Sequence, residues 1–319
     1  MRVIKKRNYK KEYKDHQSSE KEKRNRAARN KRRRKAEKKG RVKKGDGKDI
    51  HHKGKKTRVE SKSKNRGRRE KSRLKGSISL KGSRIDDIIL RDYKESIYKD
   101  SPLVTLMSPK NTLNPYFAEF GWHAESNIDV PRQETVWKLI EGKELSPSNP
   151  IRLEWKSPDN LIFSRKIKVD SDFLFTFEDV VRNNTSTTQT LQQYGRIRRT
   201  GTPETSGFYI LHEGLIATLD DELIEEDYDD IQEKKFSRIS QKGWLGIGDK
   251  YWISSLIPPR NKEFKTTFDY KKKFRANFIA TEPLELNANS RIEEELQIIV
   301  AAKRVDIIDG YAESLNIDK

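Results

Sequence analysis

The chain has 319 residues and no cysteine, so disulfide bonds and cysteine-ligated metal sites are excluded. Its net charge of +20 is unevenly distributed. Residues 1–75 contain 35 Lys and Arg against 9 Asp and Glu, whereas residues 76–319 contain 34 against 40. All five tryptophans and all twelve phenylalanines lie after residue 75. We therefore expect a basic, mostly disordered or partly helical tail over 1–75 and a folded domain over 76–319.

The basic tail has too few apolar residues to form a core. Ala, Glu, Lys and Arg favour helix from Ser19 to Lys39, although like charges four residues apart oppose it. The tail predicts nonspecific binding of nucleic acid or of anionic lipid, centred on one run of cations: Arg32, Arg33, Arg34 and Lys35. No stretch of the chain approaches the ~18–20 apolar residues of a membrane-spanning helix, and no apolar segment of a signal peptide follows the basic start. The sequence itself therefore indicates no route across a membrane.

One short pattern in the tail raises a minor alternative. His51 and His52 are followed by Asn65, which resembles the small HNH-type endonucleases of phages, whose metal is held by His and Asn. The spacing is short, and no further ligand histidine follows in the tail. A basic polar tail is the favoured interpretation, with metal-dependent cleavage of nucleic acid as the alternative.

Beyond the tail, alternating apolar and polar residues and intervening turn residues predict strands. In chain order they fall at 76–93 (two strands), 101–109, 114–124, 151–184 (three strands), 189–199, 208–211, 243–259, 264–280 and 291–303. Residues 305–317 differ, because Val305, Ile308, Tyr311 and Leu315 recur at helical spacing. The pattern predicts an all-β sandwich with a short amphipathic C-terminal helix packed on the sheet.

His212 and Glu213 form a candidate acid–base pair after the predicted strand 208–211. Adjacent residues on a strand point to opposite faces, so we expect them not to share one site. His212 is better explained as a hydrogen-bonded residue at a strand end. The polar segment from Gly201 to Gly207 then predicts a tight connection between two strands.

Other candidate sites lack the required spacing. The acidic run Asp220–Asp230 lacks the Asp-x-Asp-x-Asp-Gly pattern of a calcium loop and predicts a solvated, mobile loop. Ser206 has no Gly-x-Ser-x-Gly context. Gly243, Gly246 and Gly248 lack the strand-to-helix turn of a dinucleotide site, and indicate turns or close backbone approach.

Several segments in the same order resemble a known family. The segments 114–122, 194–223 and 242–258 resemble the large periplasmic domain of YidC-type membrane protein insertases, while 76–93 resembles the start of that domain and 301–311 its end. The matching motif residues are expected to be structural: Gly201, Pro203, Glu204, Gly207, His212, Gly214, Trp244, Gly246, Asp249, Tyr251 and Trp252.

The resemblance implies a galactose-mutarotase-like β-supersandwich closed by the C-terminal helix, with no catalysis and no cofactor. It implies a location on the periplasmic side of the inner membrane. The implied partners are the insertase core, the SecD–SecF part of the Sec translocon and nascent membrane proteins. The predicted partner contacts on the last helix are Val305, Ile308, Tyr311 and Leu315.

The sequence also departs from this family. The membrane core and the first anchor are not found in it, and a basic segment precedes Lys75, so we expect a truncated or fused reading frame. Two other functions stay open on the residues alone: nucleic-acid binding by the tail and electrostatic attachment of the tail to lipid. Sugar binding is suggested by fold analogy only.

Overall fold

The computed structural model describes residues 34–43, 48–53, 56–61, 74–98, 100–124, 128–203, 205, 212–315 and 317. The chain divides into two units, Met1–Arg68 and Arg69–Lys319. The predicted residues Arg32, Arg33, Asn65, Glu204, Ser206 and Gly207 and the predicted strand 208–211 lie outside the described residues.

In the first unit, the described residues form a short helix and a hairpin. Helix α1 occupies residues 34–38, within the segment for which the sequence indicated helix. Strands β1 (Lys48–Lys53) and β2 (Lys56–Ser61) pair in antiparallel fashion. The sequence analysis did not predict this hairpin, because its only directly opposed apolar pair is Ile50 and Val59.

The second unit consists mainly of strands, as predicted. In chain order its elements are β3 (Leu74–Ser79), β4 (Arg84–Lys94), β5 (Leu103–Met107), β6 (Tyr116–Ala124), β7 (Lys138–Glu141), β8 (Ile151–Lys156), β9 (Leu161–Val169), β10 (Leu174–Asn183), β11 (Gln189–Arg199), β12 (Gly214–Leu219), β13 (Glu222–Asp227), helix α2 (Tyr228–Glu233), β14 (Phe236–Ser240), β15 (Gly243–Gly248), β16 (Trp252–Ile257), β17 (Phe264–Tyr270), β18 (Phe274–Ala280), β19 (Leu284–Leu286), β20 (Arg291–Ala302) and helix α3 (Val305–Leu315). The predicted C-terminal helix is therefore confirmed.

These strands form two antiparallel sheets. The first sheet has the order β13-β12-β15-β16-β20-β10-β9-β8-β7. The second has the order β14-β17-β18-β11-β6-β4-β3, with β19 added to β11 and β5 added to β4. One continuous cluster of buried apolar side chains includes residues from both sheets, so the sheets pack face to face as a sandwich.

The alternation in the sequence explains which side of each strand faces this core. Along β9, burial alternates residue by residue, with Leu161, Phe163, Ile167 and Val169 buried. Arg165 occupies the remaining inward position and is fully buried. A strand with one apolar face thus carries a cation in the middle of that face.

The charge of Arg165 is compensated inside the sandwich. Its Nε and Nη2 donate to the Oδ1 and Oδ2 of Asp179 on β10, at 2.7 and 2.6 Å. Its Nη1 donates to the Phe120 carbonyl on β6, at 3.2 Å, and Trp122 Nε1 donates to Asp179 at 3.2 Å. The guanidinium also lies 5.2 Å from the ring centre of Trp137. Since β6 belongs to the second sheet, this polar group connects the two sheets through the core.

The acidic run Asp220–Asp230 is ordered secondary structure, so its prediction as a loop was wrong. Asp220 and Asp221 have φ of +50° and +70° and form the two-residue turn of the β12–β13 hairpin. Aspartate tolerates this left-handed conformation better than most residues. The run then continues into α2, where Tyr228 and Ile231 are buried and attach the helix to the core. Burial of these two side chains stabilises the helix although the segment is strongly acidic.

Breaking the buried ion pair should destabilise the second unit strongly. We expect Asp179→Ala to lower the free energy of unfolding by about 3–5 kcal/mol, because Arg165 keeps its charge without a partner. Urea unfolding followed by tryptophan fluorescence measures this loss, since every tryptophan lies in the second unit. The control is Glu141→Ala, which breaks the exposed Arg152–Glu141 pair and should cost at most about 1 kcal/mol. Equal losses for the two variants would contradict a stabilising role of the buried pair.

Candidate functional site

The antiparallel register brings separate motif residues to one end of the sandwich. Tyr116 at the start of β6 lies opposite Arg199 at the end of β11. In the first sheet, Trp252 at the start of β16 lies opposite Ala302 at the end of β20. The turn between β15 and β16, which contains Asp249 and Tyr251, lies at this same end. We call this region the motif end.

Arg199 is the central cation of the motif end. Its Nη1 pairs with Asp249 Oδ1 and donates to the Tyr228 hydroxyl at 3.1 Å. Its guanidinium stacks over the Tyr116 ring, 4.8 Å from the ring centre. Burial raises the pKa of Tyr116 and of Tyr228, so both phenols stay protonated at neutral pH. The Arg199 guanidinium on β11 therefore contacts side chains of β6, α2 and the β15–β16 turn and connects these elements.

A second cation, Lys303, ties the chain after β20 to the same turn. Its backbone N–H donates to the Tyr251 carbonyl at 2.8 Å, and its Nζ donates to the His212 carbonyl at 3.3 Å. Burial lowers the pKa of Lys303, while Asp249, Glu213 and Glu225 oppose that shift. Lys303 thus connects the segment before β12 with the segment that leads into α3.

His212 and Glu213 contact different groups. His212 Nε2 lies 3.1 Å from the Leu215 carbonyl, and Nδ1 lies 3.4 Å from Asp227 Oδ1. Glu213 accepts a hydrogen bond from the Lys250 backbone N–H at 3.1 Å. These two side chains therefore do not act on a common point in space. His212 and Glu213 precede β12, of which Gly214 is the first residue.

Two glycines of β15, Gly243 and the motif residue Gly246, permit close approach between neighbouring strands. Gly243 has a φ of +133°, and a Cβ there would lie 1.9 Å from the Thr218 carbonyl oxygen. A Cβ at Gly246 would lie 2.0 Å from the Ser254 carbonyl oxygen. Any larger residue at these two positions would displace the backbone of the first sheet.

Helix α3 covers the outer face of the first sheet. Its Ile307, Tyr311 and Leu315 are buried and form an apolar cluster with residues of the sheet: Leu174, Trp244 and Ile257. The Tyr311 hydroxyl donates to both carboxylate oxygens of Asp170, at 2.6 and 2.8 Å. Burial and the Asp170 carboxylate raise the pKa of Tyr311, which keeps this donor protonated. The motif residue Trp244 is therefore part of the helix attachment.

The predicted partner contacts on α3 fall on two sides of the helix. Tyr311 and Leu315 lie against the sheet and are 8% and 7% exposed, so they attach the helix and offer no surface to a partner in this arrangement. Val305 is 73% exposed, and Ile308 is half-buried. The prediction needs correction for Tyr311 and Leu315, because helical spacing alone does not tell which apolar residues face the domain.

An open cleft lies beside the motif end. Its volume is about 700 Å³, and residues of the β4–β5 loop line it together with Arg199 and Asp249. Tyr93, Tyr251 and Trp252 line it, and the Tyr93 and Trp252 rings meet edge to face at 5.2 Å. Sequence reasoning found Tyr251 and Trp252 but missed Tyr93 and Arg199, whose roles depend on strand pairing.

The described residues contain few features of other site classes. Among them, no group of three or more His, Asp or Glu side chains could hold a metal ion. His51 and His52 lie on β1 opposite Arg58 and Thr57. In the basic run, Arg34 and Lys35 lie on α1 and are exposed. None of the helices in this described part is long and apolar enough to cross a bilayer.

The sandwich is similar to a solved structure of a galactose mutarotase related enzyme from Lactobacillus acidophilus. The TM-score is 0.50 at 8% identity, over 73% of this chain and 96% of that one. At this identity the likeness concerns the fold alone. It confirms the class predicted from the sequence, a galactose-mutarotase-like β-supersandwich with a short C-terminal helix.

Sequence comparison identifies the family. The model of the YidC periplasmic domain matches residues 70–318. The membrane protein insertase YidC of Pelagibacter ubique (strain HTCC1062) is 46% identical over 251 residues, which are 78% of this chain and 45% of that protein. The corresponding protein of Rickettsia felis (strain ATCC VR-1525 / URRWXCal2) is 37% identical over 257 residues, again 78% of this chain and 45% of the relative. The chain therefore belongs to the YidC periplasmic domain family, and it spans about half the length of these curated relatives.

The contact between Tyr311 and Asp170 should determine how firmly α3 is attached. We expect Tyr311→Phe to weaken the attachment by about 1–3 kcal/mol, because a hydrogen bond to a charged group is lost. Hydrogen exchange of the amides in 308–315 should accelerate accordingly, while exchange in the core strands stays unchanged. Ser314→Ala, an exposed change on the same helix, is the matched control. Identical exchange in both variants would show that the hydroxyl does not hold the helix.

Proposed function

We propose that this chain supplies the periplasmic part of a membrane protein insertase and acts by binding, without catalysing a reaction. The proposal is supported by the family match over residues 70–318. It is also supported by the different partners of His212 and Glu213, which do not pair with each other as an acid and a base. In this role the domain lies on the periplasmic side of the inner membrane and needs no cofactor.

The observation that carries the proposal is the attachment of α3. Tyr311 and Leu315 fix one side of this helix to the sheet, while Val305 stays exposed on another side. The helix is thus held on the sheet, and a partner can contact the side of the helix that faces solvent. By the family resemblance, we propose that this last helix adjoins the membrane core. We propose the core and the SecD–SecF part of the Sec translocon as partners, with nascent membrane proteins as substrates.

A chimeric insertase tests this assignment. Residues 70–318 replace the matching domain of the Pelagibacter ubique protein, and the variant combines Val305→Asp with Ile308→Asp. We expect the variant to retain several-fold less SecD–SecF on purification and to support less insertion of a membrane protein, because buried charges weaken an apolar contact.

The matched control is Ile239→Asp on β14, where the apolar side chain is 53% exposed and far along the chain from α3. It should behave as the unaltered chimera does. Circular dichroism checks that both variants keep their β structure. If the α3 variant retains its partners as well as the control does, this helix is not the docking surface.

The positive charge of the basic tail, residues 1–75, favours a second function for this part of the chain. Its 35 Lys and Arg against 9 Asp and Glu over residues 1–75 would neutralise phosphates of nucleic acid or the headgroups of anionic lipid. Arg34 and Lys35 are exposed on α1, as this function requires. The proposed binding is nonspecific, because the tail has only two aromatic residues, Tyr9 and Tyr13, for stacking on bases.

Replacing Arg32, Arg33, Arg34 and Lys35 by Gln in the full chain tests this second function. Affinity for duplex DNA should fall, and the slope of log K against log salt should become shallower by up to about 3–4. The control neutralises Lys271, Lys272 and Lys273, a basic turn of the second unit, and should leave the slope unchanged. A slope that responds only to the control would assign the binding to the second unit.

A further inference from the structure

Three large apolar or aromatic side chains project from the motif end without contributing to the core. Ile97 and Tyr98, in the loop between β4 and β5, are 97% and 75% exposed. Tyr251, in the β15–β16 turn, is 58% exposed. Two separate chain segments thus present exposed apolar or aromatic side chains at the same end of the sandwich.

The segments that carry these side chains are held in place. Within the β4–β5 loop, the Glu95 N–H donates to the Pro102 carbonyl and the Ser101 N–H to the Tyr98 carbonyl, at 3.0 and 3.1 Å. The hydrogen bond from the Lys303 N–H to the Tyr251 carbonyl connects the β15–β16 turn to the start of α3. The edge-to-face contact of Tyr93 with Trp252 connects the β4–β5 hairpin to the same turn. These hydrogen bonds and this ring contact fix the two segments in positions where their apolar side chains face solvent.

The charges that line the cleft nearly balance, with three acidic against two basic residues. Asp92, Glu95 and Asp249 line the cleft together with Lys94 and Arg199, and Lys250, Lys303 and Arg304 lie beside it along the chain. The cleft itself therefore has no strong field for an anionic partner. The exposed apolar side chains supply affinity for an apolar surface, with the lysines and arginines beside the cleft reaching polar groups around them.

We propose that the motif end contacts the lipid bilayer, with Ile97, Tyr98 and Tyr251 inserted at the boundary between headgroups and acyl chains. Tyrosine is suited to this boundary because its ring is apolar and its hydroxyl is polar. A bilayer can accept side chains from separate loops, such as the β4–β5 loop and the β15–β16 turn. The core of a protein interface instead needs one continuous packed patch. The proposal rests on the proposed function, because only a chain held beside a membrane would use this surface.

Flotation of the full chain with phosphatidylcholine vesicles tests the proposal. Neutral lipid and about 0.5 M NaCl suppress attraction of the basic tail, so the assay reports apolar insertion. The test variant combines Ile97→Asp with Tyr98→Asp, and the control combines Leu223→Asp with Ile239→Asp, at positions that are 52% and 53% exposed on β13 and β14. We expect the test variant to partition at least about tenfold more weakly than the unaltered chain, and the control to stay within about twofold of it.

Two results would overturn the membrane contact. One is an unaltered chain that does not float with neutral vesicles; the other is a test variant that floats as well as the control. If the chain fails to float while the same two substitutions reduce SecD–SecF recovery in the chimera, the surface docks a protein instead. Loss of vesicle binding leaves the result for the α3 variant unaffected, so failure of this inference and failure of the proposed function are distinguishable.

Discussion

The buried pair of Arg165 and Asp179 is the constraint on which the sandwich depends. A guanidinium without solvent must have its charge and its donors satisfied by nearby groups. Asp179 supplies the charge from the neighbouring strand, and the Phe120 carbonyl and the Trp122 indole supply contacts from the opposite sheet. This group fixes the position of β6 relative to β9 and β10 more specifically than apolar packing alone would, because hydrogen bonds require particular distances and directions.

The fixed register of the two sheets explains how the motif end is assembled. Arg199, Asp249 and Lys303 come from distant parts of the chain and meet because their strands end at the same side of the sandwich. Their hydrogen bonds and ion pair connect separate elements of the domain and fix the positions of these elements relative to one another. Helix α3 begins at Val305, two residues after Lys303, and packs on the first sheet, so its exposed side has a defined position. The surfaces that we propose for partners and for a membrane are carried by this part of the domain.

The sequence indicates the strands and the last helix well, because burial on one face leaves a period of two or of 3.6 residues. It failed at the acidic run 220–230, where two buried residues of α2 decide the structure against a strongly polar background. At the motif end, the family resemblance identified Asp249, Tyr251 and Trp252 but not Arg199 or Tyr93, because only pairing between distant strands brings these residues together. Helical spacing likewise selected Tyr311 with Val305, although one faces the sheet and the other faces solvent.

The central claim is that α3 meets the membrane-embedded core of an insertase. The most direct measurement places a photoreactive benzoyl-phenylalanine at Val305 of the chimeric insertase and, in a separate chimera, at Ile239. Irradiation in intact cells is followed by identification of the cross-linked peptides. The account predicts cross-links from position 305 to the insertase core or SecD–SecF, and none to these proteins from position 239. The absence of such cross-links from position 305 in a chimera that still inserts membrane proteins would contradict the account.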